Sequence, residues 1–81
     1  MNRKATTKDE LFLLKLHEMA LQLGSPEEEV DRFAVGRAIG QNDKGVNVIV
    51  RHLAQANFIK KVSETTIALT ARGCNFVQDE L

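Results

Sequence analysis

The sequence has neither tryptophan nor tyrosine, and four phenylalanines are its only aromatic side chains. A core built from such a chain is aliphatic, helped by Phe12, Phe33, Phe58 and Phe76. Cys74 is the single cysteine, which excludes an internal disulfide. No apolar run approaches the roughly 18 residues needed to span a membrane. The polar start MNRKATTKDE lacks the apolar stretch of a signal peptide. A reduced, cytoplasmic setting is the simplest expectation. Nor is there an excess of either charge, since 11 Lys and Arg balance 11 Asp and Glu. That balance argues against attraction to a polyanion over the whole surface. It leaves room for a local basic patch, which is what phosphate contacts require.

What is present is enough for one small domain. With 81 residues the core is marginal, so most apolar positions are needed for folding itself. Hydrophobic content of 43% and charged content of 27% are those of a globular chain. Residues 1–6 read as a disordered tail and residues 7–81 as a single domain. The charges are unevenly spread along it. Glu27, Glu28, Glu29 and Asp31 form an acidic run, whereas residues 41–63 carry Lys44, Arg51, Lys60 and Lys61 against Asp43 alone.

Thr7 followed by Glu10 fits a capping box, with hydroxyl and carboxylate satisfying the free amides of a first helical turn. The helix in KDELFLLKLHEMALQLG ends at Gly24. Phe12, Leu16, Met19, Ala20 and Leu23 recur at helical spacing as its inner face. Leu13, Leu14 and Leu21 fall outside that stripe. Either other elements sandwich the helix on a broad front, or these leucines pack against a second subunit in a homodimer.

A second helix is expected over SPEEEVDRFAVGRAIG. Ser25 suits the cap, Pro26 the first helical position, and Glu28 would complete a second capping box. The three glutamates would favour the positive end of the helix dipole, which accounts for the acidic run without any function. Val30, Phe33, Ala34, Val35, Ala38 and Ile39 are its expected inner face. Gly40 ends this helix and Asn42 caps the next, in which Val46, Ile49, Val50 and Leu53 form the buried stripe. Asn57 takes the left-handed conformation that closes it. The periodicity then changes. FIKKVSETTIALT is rich in β-branched residues and broken by SETT, which predicts a short antiparallel hairpin. Thr70 caps a last helix, ARGCNFVQDEL, with Phe76 and Val77 inward. The fold class is mainly α with a small β-hairpin, in the order helix, helix, helix, strand, strand, helix.

That order, with a tight joint between the second and third helices, resembles the winged helix-turn-helix family of DNA-binding domains over residues 7–81. The local match lies in Gly36 four residues before the turn glycine Gly40, with Ile39 between them, Asn42 at the cap, and Val46 and Ile49 packing back. LAQANFI resembles the family's passage from recognition helix to wing, and LTARG its entry into the last helix. Two positions depart from the pattern. Gln41 stands where an aliphatic residue is usual. Gly45 lies in the first turn of the recognition helix, at a cost of up to about 1 kcal/mol relative to alanine. Either it lets the backbone approach phosphate or base, or the turn there is tight or frayed.

The resemblance implies a recognition helix at about residues 43–57 and a wing at residues 58–69. The buried stripe leaves Asp43, Lys44, Asn47, Val48 and Arg51 outward, at the offsets that face the major groove in the family. Asn47 matches adenine and Arg51 guanine bidentately; Lys44 suits phosphate or guanine, and Val48 a thymine methyl group. Asp43 is discordant, unless it complements the helix dipole. Lys60 and Lys61, on the first wing strand, either ride on the sugar-phosphate backbone or solubilise an edge strand. Arg3, Lys4 and Lys8 are weaker candidates for phosphate contacts from an arm.

No enzyme is legible. HEMAL begins like a metalloprotease helix motif, but Leu21 replaces the second histidine. His17, His52 and Cys74 are isolated and lack zinc spacing, so no metal and no cofactor are expected. The sequence thus leads to sequence-specific binding of double-stranded DNA by a small transcriptional regulator. It would act as a homodimer through Leu13, Leu14 and Leu21. The alternative is a winged-helix module whose partner is another protein.

Overall fold

The computed structural model describes residues 7–81; the tail read over residues 1–6 lies outside the described residues. Helix α1, Lys8–Gln22, opens with the capping box expected of it. Glu10 donates its backbone N–H to Thr7 Oγ1 at 3.1 Å, and Thr7 donates its own to Glu10 Oε1 at 3.2 Å. Phe12, Leu13, Leu16 and Ala20 are the buried residues of this helix.

Two leucines of this segment lie otherwise than their spacing predicts. Leu13 is only 1% exposed, so it belongs to the core and is not part of a dimer surface. Leu23 is 62% exposed, because the helix ends at Gln22 and its cap residue leaves the inner face.

The second element differs most from expectation. Ser25 caps only a turn: Glu27 donates its N–H to Ser25 Oγ at 3.2 Å, and Glu28 donates to the Ser25 carbonyl at 3.2 Å. The chain then extends, and Val30–Asp31 form a strand, β1. Helix α2 is accordingly short, Arg32–Ala38, capped by Asp31, whose Oδ1 accepts from the Phe33 N–H at 2.8 Å. The three glutamates lie ahead of this cap and are not in its first turn. Ala38, expected inward, is exposed, while Val35 is fully buried.

Long-range pairing explains the lost turns. Val30 and Asp31 lie opposite Ile67 and Thr66, Arg32 donates its N–H to the Thr65 carbonyl at 2.9 Å, and Thr66 Oγ1 donates to Glu29 Oε1 at 2.6 Å. Local helix-start chemistry loses to the hydrogen bonds and the Val30 burial that the sheet offers.

Gly40 adopts φ 77°, which opens the short connection to α3, Asp43–Gln55, capped by Asn42. The strands β2, Ile59–Lys61, and β3, Thr66–Leu69, follow as the expected hairpin. Because β1 adds to the far side of β3, the sheet has three antiparallel strands in the order β1-β3-β2 rather than two. The element order is therefore helix, strand, helix, helix, strand, strand, helix.

Asn57, at φ 65°, reverses the chain between α3 and β2, in the left-handed conformation expected of it. Helix α4, Ala71–Glu80, is capped by Thr70, whose Oγ1 accepts from the Gly73 N–H at 3.0 Å and donates to the Asn57 carbonyl at 2.6 Å. Phe76 of this helix stacks on Phe58 with ring centroids 4.7 Å apart, and Arg72 lies over the same Phe58 ring. The described protein is mainly helical with one small sheet, and no described helix is long and apolar enough to cross a membrane.

Candidate nucleic-acid interface

Helix α3 is held by one face. Val46, Ile49, Val50 and Leu53 are all buried, with Val46 fully so, and they seat the helix on the core. Its approach to α2 depends on Gly36: a Cβ there would overlap the Val46 side chain. The close packing inferred from the small residue before the turn is thus a contact between Gly36 and Val46. The N-terminal end is fixed by Asn42, whose Oδ1 accepts from the Gly45 N–H at 2.8 Å.

The opposite face follows from this seating. Lys44, Asn47, Val48 and Arg51 are exposed, and their spacing of three and four residues lines them up as one ridge. Gln55 is also exposed and extends the ridge by one turn. Gln55 stands four residues beyond Arg51, at the same offset that spaces the rest of the ridge. Among the described residues, no ion-pair partner stands against Lys44 or Arg51. Asp43 is exposed in the first turn, where a carboxylate complements the helix dipole.

Gly45 and Gln41, the two positions at which the resemblance falters, occupy one place. A Cβ on Gly45 would come within 2.8 Å of Gln41 Oε1 and 3.3 Å of the capping Asn42 Oδ1. The glycine leaves room for the polar side chain that stands where an aliphatic one is usual.

The hairpin adjoins the end of α3 through Asn57 and Phe58, with the Phe58 N–H donating to the Leu53 carbonyl at 3.0 Å. In β2 only Ile59 is buried, and both Lys60 and Lys61 are exposed. Alternation puts Lys60 on the side away from the core; Lys61 shares the side of Ile59 yet is exposed. As β2 is an edge strand, these lysines also discourage pairing with another sheet. The turn after β2 is organised by Ser63, whose Oγ accepts from the N–H groups of Thr65 and Thr66 at 3.3 and 3.1 Å. Arg32 secures it from behind, donating from Nε to the Thr65 carbonyl at 3.4 Å.

The histidines and the cysteine stand apart from this surface. His52 Nδ1 lies 3.6 Å from Asp9 Oδ2, on the flank of α3 that meets α1. His17 is half-buried, and its Nε2 is enclosed with no hydrogen-bond partner among the described residues. Cys74 is buried on the inner face of α4, and burial, reinforced by the Glu27 charge, pushes its thiol above its ordinary pKa. No family model, no curated protein and no solved structure matches this chain, so its own side chains must carry any functional reading.

Proposed function

We propose that this chain is a winged-helix protein that binds double-stranded DNA sequence-specifically, as a small transcriptional regulator. Helix α3 serves as the recognition helix in the major groove, and the β2–β3 hairpin is the wing. The observation that carries this reading is the single exposed ridge of Lys44, Asn47, Val48 and Arg51 on a helix whose other face is fully committed to the core. Arg51 and Asn47 present the donor and acceptor pairs that match guanine and adenine edges, and Val48 is apolar enough to meet a thymine methyl group. Lys44 sits near the helix start, where phosphate or guanine is within its reach. Lys60 and Lys61 meet the sugar-phosphate backbone and position the protein without reading sequence. The reduced cytoplasm is the setting that goes with this function, and the lone, buried Cys74 supports it.

Binding to mixed duplex DNA, followed by fluorescence anisotropy at low salt, tests the proposal. The expected result is measurable affinity that Lys44→Ala together with Arg51→Ala nearly abolishes, while the unfolding free energy stays within about 0.5 kcal/mol of the parent, as expected of surface substitutions. A folded protein that ignores duplex at low salt would refute DNA binding.

That outcome would favour a second reading, a winged-helix module that binds another protein. Its support is the neutral overall charge, the exposed Asp43, and the exposed apolar side chains of Val48 and Val62, at 41% and 47%.

A further inference from the structure

The α3 ridge and the wing are joined at Asn57 and Phe58, where the chain leaves the helix and enters β2. β2 is an edge strand whose strand neighbour is β3, and its exposed residues are Lys60 and Lys61. Pairing with β1 secures β3, so the relation of the two lysines to α3 depends on what holds the joint itself. The start of α4 holds it at several points. Thr70 donates its N–H to the Phe58 carbonyl at 3.1 Å and its hydroxyl to the Asn57 carbonyl at 2.6 Å. The same hydroxyl oxygen accepts from the Gly73 N–H at 3.0 Å. A Cβ at position 73 would overlap the Phe58 carbonyl oxygen, so the glycine is what lets α4 come this close. Phe76 and Arg72 of α4 cover the Phe58 ring.

We infer that Thr70 is a positioning residue, whose hydroxyl fixes β2 against α3 so that Lys60 and Lys61 reach the backbone of the duplex that α3 reads. Its use in binding rests on the DNA reading above, whereas the fixing of β2 does not. Capping α4 needs only an acceptor, which serine, aspartate and asparagine supply equally well. The proton donated to Asn57 is therefore more than a cap requires. It joins the last turn of α3 to the residue that ends the hairpin, and closes the base of the wing. The turn beyond β2 is already held by Arg32, through the Thr65 carbonyl. With both ends held, the lysines are placed before DNA arrives. Contacts made by groups already in position lose less freedom on binding than contacts from a loose strand.

Three substitutions in the full chain separate this role from capping. Thr70→Ser keeps donor and acceptor. Thr70→Asp keeps the capping acceptor but has no proton to donate. Thr70→Val keeps the shape, loses both and adds no charge. Residual dipolar couplings of the DNA-free protein read the orientation of β2 relative to α3. The expected result is a reoriented β2 in Thr70→Asp and Thr70→Val, and the parent orientation in Thr70→Ser. Anisotropy titrations with duplex at several salt concentrations should then show a shallower salt slope for Thr70→Val, by up to about 2, as if Lys60 and Lys61 no longer met phosphate. Thr70→Ser should restore the parent slope. Adding Lys60→Ala and Lys61→Ala to Thr70→Val should change the slope little further, since two routes to one loss do not add. A β2 orientation unchanged in both Thr70→Asp and Thr70→Val would overturn the inference, and so would fully additive slopes. A parent chain that ignores duplex would overturn the DNA reading alone, because the couplings measured without DNA still decide whether Thr70 fixes β2.

Discussion

At the scale of single residues, Gly36 and Cys74 show how much rests on one atom. A methyl group at position 36 would overlap Val46, a fully buried side chain that seats α3. Gly36→Ala is therefore expected to destabilise the fold by about 1–3 kcal/mol, the usual range for overpacking, despite alanine's better helix propensity. Chemical denaturation would measure it, and an unchanged midpoint would mean that α2 and α3 are less tightly joined than they look. Cys74 gives a pH dependence whose sign can be worked out. Burial and the Glu27 charge raise its folded pKa above the ordinary 9.0, so the unfolded chain loses this proton first. The thiol's contribution is fully present below the unfolded pKa and is lost as pH rises from there through the folded value. Stability should fall more steeply above about pH 9 in the parent than in Cys74→Ala, as measured by urea unfolding across that range.

At the scale of elements, the start of α2 separates what local chemistry offers from what the fold accepts. Ser25, Pro26 and the glutamates compose a good helix start, yet the helix begins after Asp31. Asp31→Ala should cost about 1 kcal/mol, the usual worth of an N-cap, and Ser25→Ala much less, because Ser25 closes only an exposed turn. Thermal unfolding of the two variants would compare them, and a larger loss for Ser25 would argue for a longer helix in solution. The other caps behave as their sequences suggest. Thr7, Asn42 and Thr70 all accept from the N–H three residues on, and each is followed by a helix that its own apolar spacing supports. Local signals were enough where no distant strand competed for the backbone.

For the whole molecule, a net charge of zero is compatible with the proposed binding of duplex DNA, because the cations that the proposal uses are few and local. If Lys44, Lys60 and Lys61 each meet one phosphate, the logarithm of affinity should fall with the logarithm of salt concentration at a slope of about −2.7 per monomer. Lys60→Ala with Lys61→Ala should make that slope shallower by about 2 while leaving sequence preference intact, because backbone contacts carry no base information. Anisotropy titrations at several salt concentrations would measure both quantities. A change in preferred sequence on losing the two lysines would place them at bases instead.

Four helices, a hairpin, the caps of α1, α3 and α4 and the whole buried stripe of α3 are properties that this sequence determined by itself. They depend on spacing and on side chains within a few positions of one another, and so does the outward ridge of Lys44, Asn47, Val48 and Arg51. Only the tertiary structure decided that Val30 and Asp31 become a third strand, since their partners, Ile67 and Thr66, lie more than thirty positions away. It also decided which leucines of α1 are free. Leu13 and Leu14 are neighbours of one residue type, but α1 is surrounded on every side except one, and the packing of the other elements against it buries Leu13 and leaves Leu14 in solvent. Hydrophobic periodicity says that a helix has an inner face; how wide that face becomes depends on how many elements reach it.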